Sequence, residues 1–236
     1  MAKTAIITGS GSGVGRAVAL RMAAEGWTVA LVGRTAKGLE ETRQLAGTNA
    51  SNLHVFSCDI ADPVAAEKTV AAAVNKLGGV TALVNCAGTN IPRRSLEVLN
   101  AGDYQSVIAA NLNGTVYFVL GVLPAMRKAG SGTIVNIVSD AGMFANAKAG
   151  AAYVASKFGV SGLTQSINAE ERQHGIRACA IYPGDIATPL LDKRPVPPPM
   201  EARAKMIQPE DMADCVMLCV NLPDRAVVEQ MLVRPR

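Results

Sequence analysis

The residues best suited to chemistry in this chain are Tyr153 and Lys157, four positions apart in the pentapeptide YVASK with only small or apolar residues between them. On a helix that spacing places both side chains on one face. A free phenol, with a pKa of about 10, exchanges protons poorly at neutral pH, and a neighbouring ammonium favours its ionised form. Tyr153 beside Lys157 is therefore a candidate proton donor and acceptor. The same spacing also arises as an ordinary pair of helix residues, so the reading depends on what else the chain carries.

A second constellation lies in ITGSGSGVGRAV, where Gly9, Gly13 and Gly15 punctuate the passage from an apolar run ending at Thr8 into a helical pattern. Glycines at such a turn let the backbone approach a pyrophosphate closely, and the free amides of the helix N-terminus stabilise its charge. The turn follows the first strand of a strand–helix–strand unit, the context a dinucleotide site demands. Val14 completes the loop, and Ser10 and Ser12 can add hydroxyl contacts. An NAD site usually ends its second strand on a carboxylate that accepts the ribose hydroxyls. Here the strand ends ALVGRT: Gly33 stands in that place, followed by Arg34, whose guanidinium can pair with a 2′-phosphate, and by Thr35. NADP(H) is thus favoured over NAD(H). Asp59 and Ile60 after the third strand, and Asn85, Ala87 and Gly88 at the end of the fourth, belong to the rim where ligands bind in such sheets, although strand ends also need turn formers.

The elements that must position these groups alternate along the chain. Strands are expected in KTAIITG, TVALVGR, LHVFSCD, TALVNCAG, GTIVNIVS, IRACAIYPG and AVVEQMLVRP. Helices are expected after the glycine turn, over about 35–46, from Pro63 with Asp62 as its cap, over about 103–128, about 152–173 and about 209–220. Seven strands alternating with six helices imply an α/β fold, a doubly wound parallel sheet of Rossmann type with helices on both faces. In the segment LLDKRPVPPPMEARAK, four prolines between positions 195 and 199 argue against helix or inner strand, so residues 189–206 read as a stiff loop or lid.

Composition narrows the function classes. With 236 residues, 49% of them hydrophobic and 18% charged, one ordered domain over 1–236 is expected. The net charge of +4 is mild and the basic residues are scattered, so nucleic acid is not an expected partner. The start, MAKTAIITGS, holds too short an apolar run for a signal peptide, and no stretch approaches about 18 uninterrupted apolar residues. A cytoplasmic protein without a membrane partner is expected. The five cysteines read as reduced thiols, and with two histidines and no ligand-spaced cluster no metal site is expected.

Taken together, TGSGSGVG at 8–15, NCAG at 85–88, Asn111 in AANLNG, Ser139 in NIVSDAG, YVASK and PGDIAT at 183–188 resemble, in order, the motifs of the short-chain dehydrogenase/reductase family in its compact form. The resemblance covers essentially the whole chain. It implies an oxidoreductase acting on a small carbonyl or alcohol, in which Tyr153 protonates the carbonyl oxygen as hydride arrives from the nicotinamide. It further implies that Lys157 hydrogen-bonds the nicotinamide ribose, that Ser139 holds the substrate oxygen, and that Asn111 holds a water in a relay from Lys157. Pro183, Gly184, Ile186 and Thr188 would then belong to the loop over the nicotinamide. The interval from Ser139 to Tyr153 is one residue longer than the usual family spacing, which keeps Asp140 open as a neighbour for that role. Lys193 and Arg194 are either solvated loop charges or contacts to an anionic substrate. Family members are commonly homotetramers or dimers, so a homo-oligomer is expected. The rival reading is a non-catalytic regulator that binds NADP and senses its redox state.

Overall fold

The computed structural model describes residues 3–236. Seven strands form one sheet: β1 (Thr4–Thr8), β2 (Thr28–Gly33), β3 (Leu53–Ser57), β4 (Ala82–Asn85), β5 (Gly132–Ile137), β6 (Ile176–Pro183) and β7 (Gln230–Val233). Their order is β3-β2-β1-β4-β5-β6-β7 and every pairing is parallel. The chain builds outward from β1 through β2 to β3, then returns to lay β4 on the other side of β1. The crevice for a ligand therefore opens beyond the carboxyl ends of β1 and β4.

The strands lack the polar–apolar alternation of a half-exposed sheet because both faces are covered. Ala5, Ile7, Val29 and Leu31 face one side, where they meet α1 (Gly13–Ala24), Leu39 of α2 (Ala36–Leu45) and Met212, Ala213, Val216 of α8 (Pro209–Asn221). Ile6, Ala30, Val32 and Leu83 face the other, against α3 (Pro63–Leu77) and α5 (Gly114–Ala129). Local chemistry sets the helix bounds: Asp62 accepts from Val64 N and Ala65 N ahead of α3, and Gly78 closes that helix with φ 69°.

Three expectations need correction. The helix expected over 103–128 begins at Ala101, with Asn100 accepting from Asp103 N, and is not uniform: α4 (Ala101–Ile108) and α5 are joined by a π-helical segment, Ala109–Asn113. A π segment of this kind frequently marks a functional position, and it carries Asn111. The continuous Ala101–Ala129 helix is long and apolar enough to cross a membrane by length and composition, but here its apolar face packs on α3 and the sheet. The proline-rich segment is not free of helix either. A 3-10 turn spans Pro189–Lys193 and one helical turn, α7, spans Met200–Arg203. The prolines occupy only the stretch between them, and Pro199 caps α7 without interrupting it. An isolated bridge between Ile186 and Ile207 ties the two ends of this lid together. The last strand is also shorter than its apolar run, four residues at an edge where only β6 supplies partners. All five cysteines are free thiols.

Candidate active site

A cleft of about 960 Å³ runs along the carboxyl ends of the strands. Its floor at one end is the turn from β1 into α1. Gly9 has φ +69°, and a Cβ there would stand 2.8 Å from the Ala87 backbone; a Cβ on Gly15 would stand 2.4 Å from Gly9 O. Only hydrogen fits at either position, so the glycines admit both the turn and the close approach of the β4 loop. Ser12 caps α1 without a side-chain hydrogen bond and no acid occupies the first helical turn. The leading amides of α1 thus stay free for an anion, which is how a pyrophosphate would be held. Arg34 and Thr35, both exposed, line the cleft beyond β2, and Asp59 and Ile60 line it beyond β3. These residues fit a dinucleotide with an added phosphate near Arg34.

Two expected contacts turn away from it. The buried Ser10 hydroxyl donates to Val32 O at 3.2 Å and pins the turn to β2. Asn85, also buried, donates from Nδ2 to Asn136 Oδ1 at 2.9 Å, inside the sheet. Neither lines the cleft: Ser10 turns in from the loop toward β2, and Asn85 points from β4 toward β5. Val14, Ala87, Gly88, Pro183, Gly184, Ile186 and Thr188 do line it, as do Ser12, Gly13 and Gly15.

At the other end stand Ser139, Tyr153 and Lys157. Ser139 follows β5, while Tyr153 and Lys157 lie on α6 (Ala151–Glu171), whose first turn crosses the end of the sheet. The Ser139 hydroxyl donates to Asp140 Oδ1 at 3.3 Å, accepts from Ala141 N at 3.2 Å, and acts on the Tyr153 phenol. Turns over 143–150 join Ser139 to α6, and the Ser139 hydroxyl stands beside the phenol despite the longer spacing. Asn111 lies behind the cleft. Its Oδ1 accepts from Thr89 N at 2.7 Å, and its Nδ2 donates to Thr89 O and Ser156 Oγ, both at 3.0 Å. Both polar atoms of this side chain bond protein groups, so it holds the β4 loop and α6 together, while its backbone carbonyl accepts from Thr115 Oγ1 at 2.9 Å. A Cβ on Gly88 would stand 3.5 Å from Asn111 Oδ1 and 3.7 Å from Lys157 Nζ, so the two groups border one small space.

The electrostatics differ from the sequence expectation. Lys157 is 5% exposed and donates to Ile137 O at 3.0 Å, its Nζ 5.5 Å from the centre of the Tyr153 ring. Burial pushes the ammonium down to about 8. Burial likewise pushes the Tyr153 phenol up to about 12, and Asp140 adds to that; the Ser139 hydroxyl and the guanidiniums of Arg194 and Arg94 pull the other way. Two arginines from loops thus favour the phenolate here, while burial weakens the ammonium one turn along the helix. Arg94 was not recognisable in the sequence. Its only signal is its place in IPRRS, the loop after β4. Asp185 is the other unforeseen member, pairing with Arg194 through two contacts and with Lys148 Nζ at 3.4 Å.

A proton donor, a hydroxyl beside it and a buried ammonium at one end of a cleft whose other end suits a dinucleotide can together support hydride and proton transfer. Comparison with known proteins bears on the family and the fold. The model of the short chain dehydrogenase family matches residues 3–196. D-beta-hydroxybutyrate dehydrogenase of Rhizobium meliloti is 34% identical over 220 residues, covering 92% of this chain and 83% of that protein. Levodione reductase of Leifsonia aquatica is 35% identical over 192 residues, covering 80% and 72%. Among solved structures, a levodione reductase superposes with a TM-score of 0.90 at 28% identity, covering 98% of this chain and 96% of that one. A metagenomic short-chain oxidoreductase in complex with NADP superposes with a TM-score of 0.86 at 29% identity, covering 99% and 97%. With the family model matched over most of its length and the cleft built at the crevice of a doubly wound sheet, the chain belongs to the short-chain dehydrogenase family of oxidoreductases.

Proposed function

We propose that the protein is an NADP-dependent oxidoreductase that interconverts a ketone or aldehyde and an alcohol, with Tyr153 as general acid in reduction and general base in oxidation. The observation that carries this reading is the placement of Ser139, Tyr153 and Lys157 in the same cleft as the Gly9–Gly15 turn and Arg34. Relatives named as a dehydrogenase and a reductase, and a neighbour solved with NADP, support it.

When bound, the nicotinamide supplies or accepts the hydride. The protein's part concerns the oxygen. In reduction Tyr153 would give its proton to the carbonyl oxygen as the carbon receives that hydride, and in oxidation it would take the proton back. Burial, which pushes the phenol up to about 12, keeps its proton in place at neutral pH, and the Ser139 hydroxyl with the Arg194 and Arg94 guanidiniums draws it back toward donation. Ser139 orients the same oxygen. Lys157, with its ammonium pushed down to about 8, returns a proton toward Tyr153 more readily than an ordinary lysine would. Arg34 favours the 2′-phosphate. The same reading includes a cytoplasmic location and a homo-oligomer. Exposed Tyr104, Leu120 and Phe158 on the long helices are apolar surface a second copy would cover, and a sizing column tests this.

The functional test is binding of NADPH and NADH followed by a ketone panel. Trp27 is buried at the start of β2, the sheet end opposite the cleft, so calorimetry or NADPH's own fluorescence is the better readout. The expected result is tighter NADPH binding, with turnover that Tyr153→Phe lowers by about 10²–10⁴-fold while leaving NADPH binding in place. Turnover that survives Tyr153→Phe would overturn the mechanism. Binding without turnover on any ketone would favour the redox sensor.

A further inference from the structure

Arg94 is a charged side chain in an unusual position. It is 8% exposed and lines the cleft near Tyr153. Its Nε donates to Ile91 O at 2.7 Å, its Nη2 to Lys193 O at 2.8 Å, and its Nη1 reaches Lys148 O at 3.5 Å. These bonds engage three of the five guanidinium N–H groups and leave two. Among the described residues no carboxylate pairs with it. Asp185 is taken by Arg194 and Lys148, and Asp140 accepts from Ser139 and lies 4.0 Å from Arg234. Backbone carbonyls offer dipoles but no counter-charge, and a buried charge without a partner is costly. Burial and the neighbouring Arg194 accordingly lower the Arg94 pKa.

This guanidinium is not placed for the cofactor's extra phosphate. Arg34 follows β2 at one end of the cleft, whereas the Arg94 loop packs on the start of α6, the helix that carries Tyr153. A Cβ on Gly150 would stand 2.6 Å from Arg94 Cβ. Arg94 and Arg194 both lie close enough to the phenol to favour its ionised form.

We propose that the carbonyl substrate bears a carboxylate, and that Arg94 receives it through a charge-assisted hydrogen bond while Tyr153 addresses the carbonyl oxygen. This rests on the oxidoreductase reading above and narrows its substrate to a short 2- or 3-oxo acid and the matching hydroxy acid. The chain between the two groups is short because Arg94 packs against Gly150, one turn ahead of Tyr153 at the start of α6. The carboxylate takes no part in bond making. It supplies the counter-charge that Arg94 lacks, and it ties the substrate down beside the oxygen that is protonated. The lid contributes directly, since Arg94 also holds Lys193 O.

The test pairs each acid with its neutral methyl ester: pyruvate against methyl pyruvate, and acetoacetate against methyl acetoacetate, reduced with NADPH. In the wild type at least one acid is expected to exceed its ester in kcat/KM by about 10- to 100-fold, the range of one hydrogen bond to a charged group. Arg94→Gln should collapse that acid-to-ester ratio, and Arg94→Lys should restore part of it. A purely structural arginine would lower both substrates together and leave the ratio alone. Calorimetric titration of the same acid and ester into the enzyme with NADP⁺, which has no hydride to give, provides a readout apart from turnover. Should both variants misfold, the wild-type ratio and these titrations still decide. Esters reduced as well as or better than both acids, or a ratio indifferent to Arg94→Gln in a folded variant, would overturn the proposal and leave the reductase intact. Arg94-dependent binding of an acid without turnover of any substrate would uphold the anion site and sink the reductase instead.

Discussion

Exchanging Lys157 for methionine removes a buried ammonium and keeps most of its volume. Lys157 is 5% exposed, has one hydrogen bond, to Ile137 O, and is pushed from 10.5 down to about 8 by burial. The unfolded chain holds the proton up to 10.5, whereas the folded protein releases it near 8. The penalty on folding is therefore complete below pH 8, shrinks as pH rises between the two values, and vanishes above 10.5. It amounts to about 3 kcal/mol at neutral pH. Methionine relieves that penalty but strips Ile137 O of its donor, a loss of about 1 kcal/mol. The variant is expected to be inactive yet more stable by about 2 kcal/mol at pH 7, a trade of stability against function. By pH 9.5 the gain should fall to about 0.5 kcal/mol or less. Tyr153, pushed up to about 12, does not interfere, because its titration lies above both conditions. Urea unfolding at 25 °C without cofactor, at the two pH values, measures the difference. A variant no more stable than wild type at pH 7, or a gain that does not shrink at pH 9.5, would refute the claim that the fold holds Lys157 at the expense of its own stability.

Other perturbations probe other parts of the site. Arg34→Ala should raise the KM for NADPH by about 10- to 100-fold and leave that for NADH nearly unchanged, since only the former carries the phosphate. Equal losses with both cofactors would dissociate Arg34 from the 2′-phosphate. Gly9→Ala forces a Cβ to within 2.8 Å of the Ala87 backbone at φ +69°, so cofactor binding should disappear and stability drop by about 1–3 kcal/mol. Calorimetry with NADPH and thermal unfolding check both. Glu171, 4% exposed, takes two hydrogen bonds from Arg127, and its carboxyl is held below 4.5 by that guanidinium. The pair contributes fully above pH 4.5 and is lost as pH falls through the lower folded value. Glu171→Gln should lower stability at pH 7 by about 1–2 kcal/mol and make the decline below pH 4.5 shallower, as read by unfolding across pH.

The layered sheet and the glycine turn were legible in the sequence because each is written in local order. Apolar runs of strand length between helical periods permit little except parallel strands with crossovers, and Gly9 and Gly15 stand where no side chain fits. The pairing of Tyr153 with Lys157 on one helix was legible for the same reason: four residues make about one turn. Less legible were the directions of Ser10 and Asn85, whose identity suits a cleft but whose hydrogen bonds to Val32 O and Asn136 Oδ1 hold them inward. Nor did composition separate the two roles of Asn111, as a water ligand or as the clamp between Thr89 and Ser156 that its hydrogen bonds make it.

What the sequence by itself determined, then, is the architecture, the turn that meets a dinucleotide, and the presence of a tyrosine, a serine and a lysine able to exchange protons. Tertiary structure alone decided how those groups are charged. Lys157 lies one helical turn from Tyr153, yet burial weakens its ammonium, and the cations that act on the phenol arrive from residues 94 and 194 on separate loops. A pKa answers to solvent and to nearby charges, and residues 94 and 194 come to Tyr153 from the β4 loop and the lid, two segments far apart in sequence that the bond from Arg94 to Lys193 O ties together.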